Sequence, residues 1–358
     1  MELKTIDSNM HSDSAAKNGV VYYNAEKAPI KSHGFFCEEA GKPFLRIPQS
    51  VAQAQGMSEN IRGLNTNASG GRFIFRTNSE RITLRYQISE NIPRDLNLQS
   101  VCSMDLYCRE HHKQTLLHAF KPDSNTLFEE IVMTCHTGNC QEKELILYAP
   151  LFASIRNVFI GIDEGASIGE GDTYKVKDPV VFYGSSITQG ACADRPGLTY
   201  PALISRHYDM DFLNLGFAGN ARGETAMAQY IASLKMSAFV YDYDHNAPTA
   251  EHLAMTHEPF YQVIRENNPE LPVIIVSRPH APGPDTEKRK EIIYQTYRNA
   301  CDRKEPVYFV DGCSLYGSYG DDAVMDDAHP SSIGLYAMAK GIGKIVAASL
   351  EKDEEQSW

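Results

Sequence analysis

Three serines of the chain stand where a catalytic nucleophile is expected. Ser185 and Ser186 are neighbours in "FYGSSITQG", where an apolar run meets a glycine, and Ser167 lies in "GASIG", which fits the G-x-S-x-G pattern of a nucleophile elbow. A nucleophilic serine needs a sharp turn that exposes its hydroxyl group, and donors that hold the oxyanion formed after attack. The three serines therefore compete for one chemical role.

The flanking residues favour the serine pair over Ser167. Ser185 and Ser186 follow the apolar run "VVFYG" and precede a helical pattern, so they lie on a strand-to-helix turn. Charged residues typical of a linker follow Ser167. The sequence alone does not separate Ser185 from Ser186, and a turn in which a serine only caps the next helix is the competing interpretation.

Residues farther along the chain supply the partners that such a serine needs. "NLGFAGNA" contains Gly219, where backbone N–H groups can point inward, and "DYDHNAP" contains Asn246, whose amide can donate to an oxyanion. In "DDAHP", Asp326 stands three residues before His329, so its carboxylate can orient the imidazole. These companions favour a catalytic role over a capping role.

Two histidines and an arginine are further candidates. His280 in "SRPHAP" is a rival for the general base, but no aspartate stands three residues before it. His245 adjoins Asn246, and Arg278 shares the predicted loop of His280, so we expect His245 and Arg278 near the site, where they contact substrate. The alternatives are a structural role for His245 and an ion pair with an acidic neighbour for Arg278.

The first half of the chain has the two-residue period of β-strands. In "RFIFRTNSERITLRYQI", apolar and polar residues alternate around the turn-like "TNSE", which predicts a hairpin. "CSMDLYCRE", "QTLLHAF", "EEIVMTC" and "ELILYAPLF" continue the pattern with no helical stretch between them. We predict an all-β antiparallel sandwich, jelly-roll-like, over residues 1–175. It ends in the glycine-rich stretch "EGASIGEGDTYKVKD", which is typical of a linker.

After residue 176, apolar strands alternate with helical patterns. "DPVVFYG", "DFLNLGF", "SAFVYDYD", "LPVIIVSRP" and "PVYFVDG" are typical of buried parallel strands. The alternation predicts an α/β domain with a doubly wound parallel sheet over residues 176–358. Active sites of such sheets form beyond the carboxyl ends of the strands, which is where the serine pair and its companions would meet.

Composition excludes several classes of function. The 358 residues carry a formal net charge of −12, which argues against a nucleic-acid partner, and no apolar run is long enough to span a membrane. The N-terminal residues lack the apolar core of a secretory signal, so a cytoplasmic location is expected. The eight cysteines show no disulfide framework, and "CHTGNC" lacks a second pair of zinc ligands. We expect no metal and no other cofactor.

The four stretches around these candidates resemble, in the same order, the sequence blocks of SGNH (GDSL-type) hydrolases. By this resemblance Ser186, directly before Ile187, is the nucleophile and His329 is the general base. Asp326, rather than Asp327, then orients the imidazole. The resemblance covers the whole second half of the chain.

The same resemblance assigns the remaining site residues. Gly219 and Asn246 correspond to the donors of the oxyanion hole, together with the N–H of Ser186. The family often has aspartate where this chain has Ser185, and we place Ser185 among the substrate-binding candidates. The resemblance implies no metal and no organic cofactor.

A second resemblance lies in the first half. "SMDLY", residues 103–107, followed by "LYAPLF", is similar to the Gly-x-Asp-Leu-Tyr motif of a β-sandwich that precedes the catalytic domain in one subgroup of the family. Ser103 replaces the glycine. That subgroup is similar to carbohydrate esterases, including mannan acetylesterases, so the sandwich is expected to bind carbohydrate or to shape the substrate site.

The resemblance implies a serine esterase that removes O-acetyl groups from carbohydrates, such as acetylated manno- or xylo-oligosaccharides, through a Ser-His-Asp triad and an acetyl-enzyme. Lysophospholipase, thioesterase and arylesterase activities stay open on the same triad. A third alternative is a non-catalytic carbohydrate-binding protein in which Tyr22, Tyr23 or Tyr107 stacks on sugar rings, although we expect these tyrosines in strand cores. A homodimer would be compatible with the sequence.

Overall fold

The computed structural model describes residues 19–88, 96, 98–123, 127–279, 283 and 285–350. In the first half, short helices α1 (Gln49–Ala52), α2 (Ile61–Leu64) and α3 (Leu98–Cys102) interrupt a series of strands. These strands are β1 (Val20–Asn24), β2 (Lys31–His33), β3 (Arg72–Thr77), β4 (Arg81–Ile88), β5 (Met104–Glu110), β6 (Lys113–Phe120), β7 (Glu130–His136), β8 (Lys143–Tyr148), β9 (Ile155–Asp163) and β10 (Ile168–Glu170).

The strands of the first half form two antiparallel sheets. One has the strand order β1-β9-β4-β7, and the other has the order β10-β3-β8-β5-β6 with β2 beside β3. Alternate side chains of both sheets, such as Leu84 on β4 and Leu145 on β8, are fully buried in one hydrophobic cluster. The predicted antiparallel sandwich is therefore confirmed, because period two puts every second side chain on the inner face.

The predicted hairpin of β3 and β4 is wrong. β3 pairs with β2, β8 and β10, whereas β4 pairs with β7 and β9 in the other sheet. The turn between them carries the chain from one sheet to the other, and Ser79 on this turn donates to Asp163 of β9 at 2.8 Å. Alternation identifies a strand but does not specify its partner, which depends on contacts from distant parts of the chain.

The predicted linker is in part ordered structure. Its residues Ile168–Glu170 form β10 on the edge of a sheet, paired with β3, and Tyr174 is 1% exposed. Glycine and charge are compatible with a short edge strand that exposes one face to water. The stretch therefore joins the packed body of the protein.

The second half alternates strands and helices, as predicted. Its strands are β11 (Val176–Gly184), β12 (Met210–Gly216), β13 (Ala238–Asp242), β14 (Val273–Val276) and β15 (Val307–Val310). Its helices are α4 (Ser186–Gln189), α5 (Tyr200–Tyr208), α6 (Thr225–Ala232), α7 (Ala250–Asn267), α8 (Thr286–Asp302) and α9 (Ser332–Ser349). Within the described residues, the strands form one parallel sheet of order β12-β11-β13-β14-β15.

The parallel sheet is buried on both faces. Val181 and Tyr183 of β11 pack in one cluster with residues of α6 and α7. Val180 and Phe182 point to the opposite face and pack in a larger cluster that also contains the core of the β-sandwich. The two halves of the chain therefore share one continuous hydrophobic core. None of the described helices has both the length and the apolar character needed to cross a bilayer.

Candidate active site

The turn between β11 and α4 brings Ser186 to the carboxyl end of the parallel sheet. β12 and β13 flank β11 on its two sides, so the loops that follow them border this turn. A Cβ atom added to Gly216, the last residue of β12, would lie 2.1 Å from the backbone nitrogen of Gln189 in α4. Glycine is therefore required where α4 approaches β12, and the partly exposed Ser186 stands on a tightly packed turn.

Ser186 is hydrogen-bonded to His329. The two atoms, Ser186 Oγ and His329 Nε2, are 2.8 Å apart, although 143 residues separate them in sequence. His329 lies in the loop before α9, which is closed by a β-bridge between Val324 and Pro330 and by the bond from the Met325 N–H to the His329 carbonyl, 2.8 Å long. This loop holds the imidazole against the serine.

Asp326 binds both the side chain and the backbone of His329. Its Oδ2 lies 2.9 Å from His329 Nδ1, and its Oδ1 accepts the His329 N–H at 2.7 Å and the Ala328 N–H at 2.8 Å. Partial burial acts to raise the pKa of Asp326, but the hydrogen bonds outweigh it and hold the pKa at about 2. Asp326 is thus an anion that fixes the orientation of the imidazole.

Gly219 and Asn246 lie on the loops that border this turn. The Asn246 amide donates to the Phe217 carbonyl at 2.8 Å, which leaves its second N–H available. Gly219 has a φ of +70°, and its N–H has no acceptor among the described residues, whereas the next two N–H groups both donate to Phe217. The contact between Asn246 and Phe217 joins the loops after β12 and β13.

The three predicted substrate-binding side chains make contacts within the protein. Ser185 is 1% exposed and accepts the Ile187 N–H at 3.2 Å as the cap of α4, which is the capping interpretation. Arg278 donates to both carboxylate oxygens of Asp244 at 3.2 Å, which is the ion-pair alternative. The His245 Nε2 lies 3.2 Å from the carbonyl of residue 279.

Burial fixes the charge of His245. It lowers the pKa of His245 to about 4, and the positive charge of Arg278 acts in the same direction. His245 is therefore neutral at pH 7 and donates from Nε2. Its neighbour Asn246 is held by a bond from its own N–H to the Tyr243 carbonyl at 2.9 Å, so this short turn is well fixed.

The rival serine Ser167 is not brought to this site. The Ser167 hydroxyl donates to Asn78, at 3.1 Å, on the turn between β3 and β4 of the sandwich. His280 lies outside the described residues. Tyr107 is 1% exposed, which confirms the expected core position, and Tyr22 lies under the guanidinium of Arg85 at 4.5 Å.

The "SMDLY" stretch contacts the catalytic half. The buried Asp105 accepts the Gly197 N–H at 2.8 Å and pairs with Arg195 at 2.9 Å, and the Tyr107 hydroxyl contacts the same arginine. Ser103, which replaces the glycine of the motif, is buried and donates to the carbonyl of residue 99. The motif therefore anchors the loop before α5 rather than presenting an aromatic surface to solvent.

Two buried residues of the site were missed by the sequence analysis. Gln189, three residues after Ser186, accepts the Ala218 N–H at 3.0 Å and so ties α4 to the Gly219 loop. Asp242 ends β13 and lies 3.2 Å from the Tyr200 hydroxyl, and its burial raises its pKa to about 8. No local pattern marks either residue, because a glutamine and an acidic strand end are normally solvated.

One group of described side chains could hold a metal ion. Cys192, Asp326 and His329 each offer an atom within 4.8 Å of the others. Asp326 and His329 already bond to each other, and His329 also bonds to Ser186, so both nitrogens of the ring are engaged. The residues therefore fit a hydroxyl–imidazole–carboxylate chain better than a resident metal. The "CHTGNC" cysteines do not join any such group of described residues.

The geometry suits nucleophilic catalysis by a serine. A neutral imidazole at hydrogen-bond distance can take the hydroxyl proton, and a fixed carboxylate stabilises the imidazolium that forms. The N–H of Ser186 has no intrahelical acceptor because it lies in the first turn of α4. Gly219 and Asn246, on the two loops that border this turn, also have N–H groups without an acceptor in the described structure, and such donors are what an oxyanion requires.

Comparisons with protein families match both halves of the chain. The model of the GDSL-like lipase/acylhydrolase family matches residues 177–347. A second model, the GxDLY N-terminus of SGNH-hydrolase-type esterases, matches residues 20–168. The two matches together leave only short segments of the chain uncovered. A search among curated proteins gives no match.

Solved structures with the same two-part fold span nearly the whole chain. A Bacteroides ovatus protein described as a GDSL-like lipase is 26% identical, with a TM-score of 0.82 over 93% of this chain and 98% of its own. The salicylyl-acyltransferase SsfX3 from a tetracycline biosynthetic pathway is 19% identical, with a TM-score of 0.78 over 92% and 98%. A family two carbohydrate esterase from Cellvibrio japonicus is 11% identical, with a TM-score of 0.63 over 94% and 99%.

Proposed function

Because the chain belongs to the GDSL-like lipase/acylhydrolases and is an ester hydrolase of that type with a GxDLY N-terminal half, we propose that it is a serine esterase that removes O-acetyl groups from carbohydrates. Ser186 is the nucleophile, His329 the general base and Asp326 its orienting partner. Gly219, Asn246 and the N–H of Ser186 form the oxyanion hole.

The hydrogen-bonded chain from Ser186 through His329 to Asp326 carries this proposal. Its two links are 2.8 and 2.9 Å long, and the serine stands at the carboxyl edge of a parallel sheet. Neither rival serine has such a partner: Ser167 bonds to Asn78, and Ser185 caps α4. A capped or solvated serine would not be an effective nucleophile at neutral pH.

The reaction proceeds in two halves. His329 Nε2 takes the proton as Ser186 Oγ attacks the ester carbonyl, and the oxyanion is held by the three donors. The imidazolium, stabilised by Asp326, then gives its proton to the sugar oxygen as the carbon–oxygen bond breaks, which leaves an acetyl-enzyme. Water, deprotonated by His329, attacks the acetyl carbonyl, and the imidazolium returns the proton to Ser186 Oγ as the acyl–serine bond breaks, which releases acetate and the free serine.

The site is exposed enough to accept a substrate whose alcohol portion is large. His329 keeps 29% and Asp326 53% of the side chain accessible, and Gly219 is exposed. A sugar chain can therefore lie across this edge while only its acetyl group reaches Ser186. The sugar class itself rests on the resemblance of the "SMDLY" half to that of carbohydrate esterases and on the fold that it shares with the Cellvibrio japonicus carbohydrate esterase.

The test is release of acetate from acetylated manno- and xylo-oligosaccharides by the wild type, by Ser186→Ala and by Ser167→Ala. We expect Ser186→Ala to lose about 10⁴-fold or more in kcat, because the triad acts as a unit. Ser167→Ala serves as the matched control and keeps wild-type activity. A Ser186→Ala protein that still released acetate would overturn the assignment of the nucleophile.

The acyl group separates the sugar esterase from its alternatives. A series of nitrophenyl esters of increasing chain length should show an optimum at acetate. Cleavage of nitrophenyl acetate through Ser186 without acetate release from either glycan would retain the triad and reject the carbohydrate substrate. Lysophospholipids, thioesters and aryl esters would then be the substrates to assay.

A cytoplasmic location and a homodimer are also part of the proposal. A cytoplasmic enzyme would act on imported oligosaccharides rather than on intact polysaccharide. Cell fractionation tests the location, and light scattering of the purified protein tests the dimer. A monomer at micromolar concentration would reject the dimer without affecting the catalytic assignment.

A further inference from the structure

A buried arginine of the first half contacts the strand that leads to Gly219. Arg46 is 1% exposed, and its Nη1 donates to the carbonyls of Gly216 and, at 3.2 Å, of Asn214, both on β12. Its Nη2 donates to the Leu64 carbonyl at 2.7 Å. Arg46 therefore bridges a loop of the first half and the end of β12.

The environment of Arg46 is unusual for a cation. No carboxylate pairs with it among the described residues, and burial lowers its pKa to about 9. A buried charge without a counter-ion is costly, and here hydrogen bonds to three carbonyls, which an apolar side chain of similar volume could not make, offset the cost. The arrangement is consequently better explained by the geometry that Arg46 imposes on the carbonyls than by packing.

One residue links Arg46 to the proposed oxyanion donors. The guanidinium carbon lies 4.3 Å from the centroid of the Phe217 ring. The carbonyl of Phe217 accepts the Asn246 amide at 2.8 Å and the Asn220 N–H at 2.8 Å. A shift of Phe217 would therefore move the Asn246 side chain and the backbone that carries Gly219 together.

Other contacts with the first half support the same loop. Gln189, whose Oε1 accepts the Ala218 N–H, donates from Nε2 to Asn67 at 3.0 Å. Ser58 donates to the Asn220 side chain at 2.5 Å. The loop from Phe217 to Asn220 is thus held by contacts that originate in the first half of the chain.

We propose that Arg46 is a positioning residue of the oxyanion hole, so that the first half of the chain is a structural part of the catalytic centre. This inference rests on the proposed function, since it requires Gly219 and Asn246 to act as oxyanion donors. It gives the β-sandwich a role that needs no bound glycan.

Arg72, the first residue of β3, provides a matched control because it also contacts β12. It is also fully buried, its Nη2 donates to the Phe212 carbonyl at 3.0 Å, and its guanidinium lies 3.8 Å from the Phe212 ring. Phe212 and its neighbour Asp211, which pairs with Arg72, belong to the beginning of β12, at the opposite end from Gly219. Loss of Arg72 should therefore weaken the junction of the two halves without moving the oxyanion loop.

The experiment compares Arg46→Met with Arg72→Met, using nitrophenyl acetate. In the folded fraction, Arg46→Met should lower kcat by about 10- to 100-fold with little change in KM, because a misplaced donor weakens only transition-state binding. Arg72→Met should lower the urea midpoint and keep the wild-type kcat per folded molecule. If Arg46→Met does not fold, Arg46→Lys, which keeps the charge and loses the planar fork, carries the same test.

A double-mutant cycle separates positioning from a general effect on the fold. If Arg46 acts through Phe217 on Asn246, then Arg46→Met should reduce kcat much less in an Asn246→Ala background than in the wild type. Independent effects would multiply instead, and that result would overturn the inference. Equal losses of kcat in Arg46→Met and Arg72→Met would also overturn it.

Different results reject the positioning role of Arg46 and the esterase function. A folded Arg46→Met enzyme with wild-type kcat rejects the positioning role and leaves the proposed esterase intact. A wild type that cleaves no ester, and whose Ser186 is not labelled by a phosphonate probe, rejects the proposed function, and the inference with it.

Discussion

The Asp326 carboxylate binds His329 at both the ring Nδ1, 2.9 Å away, and the backbone N–H, 2.7 Å away. The backbone bond fixes the carboxylate, and the ring bond fixes the tautomer that presents Nε2 as a base to Ser186. Asp326→Asn keeps the shape but offers an amide that stabilises an imidazolium less well. We expect kcat to fall by about 10²- to 10⁴-fold with nitrophenyl acetate, with KM little changed.

Asp327→Asn is the control for this prediction. Asp327 is the exposed neighbour of Asp326, and the hydrogen bonds to His329 all go to Asp326. The Asp327→Asn enzyme should keep wild-type kcat. A loss that is larger for Asp327→Asn than for Asp326→Asn would show that the wrong aspartate has been assigned.

The Asn246 amide is expected to act mainly in the transition state. Its bond to the Phe217 carbonyl orients one N–H and leaves the other for an oxyanion. Asn246→Ala should lower kcat by about 10²- to 10³-fold while the protein stays folded. Affinity for a phosphonate that mimics the tetrahedral intermediate should fall by a similar factor. Asn267→Ala, an exposed asparagine at the end of α7, should change neither quantity.

Removal of metal ions and addition of zinc should affect the esterase activity differently. Because the proposed chemistry needs no metal, EDTA should leave the activity unchanged. Added Zn²⁺ should inhibit, because Cys192, Asp326 and His329 offer it a sulfur, an oxygen and a nitrogen within 4.8 Å of one another. Cys192→Ser should raise the inhibitory concentration about tenfold, a loss of 1.4 kcal/mol, with unchanged activity in the absence of zinc. Loss of activity on chelation would contradict the metal-free scheme.

Strands, helices and their order were predictable because local periodicity reports which face of an element is buried. The five strands of the parallel sheet all appear where apolar runs predicted them. The error at β3 and β4 has a physical reason: a short turn suits a hairpin, but the partner strands β8 and β7 lie far along the chain. No local pattern contains that information.

The candidate site shows the same limit of local patterns. Ser186 and the Asp326–His329 pair lie in short motifs that the sequence singles out, and the structure brings their side chains together. The place of Arg46 depends on carbonyls about 170 residues away, at Gly216, and a single arginine in a loop gives no sign of such contacts. At Ser185 the sequence left a cap and a substrate contact open, and the structure shows the cap of α4.

The buried Asp242 predicts how stability depends on pH. Its carboxyl group lies 3.2 Å from the Tyr200 hydroxyl and 3.4 Å from that of Thr188 in α4. Burial raises the pKa of Asp242 from 3.8 to about 8, so the folded protein holds a proton at pH 7 that the unfolded chain has released. The free energy of unfolding must then decrease as pH rises, by about 1.4 kcal/mol per pH unit at most.

The pH window follows from these two pKa values. Below about pH 4 both states are protonated and the contribution is complete, and above about pH 8 both are ionised and it is lost. The side chain at position 242 of Asp242→Asn is neutral at every pH. The free energy of unfolding of this variant relative to the wild type should therefore rise by about 2 kcal/mol or more between pH 5 and pH 8, measured by urea unfolding. Asp178→Asn, which affects a surface pair with Lys235, should show no such trend. If the difference in the free energy of unfolding between Asp242→Asn and the wild type did not change with pH, Asp242 would be ionised in the folded protein. Its contacts with Tyr200 and Thr188 would then be those of a buried anion.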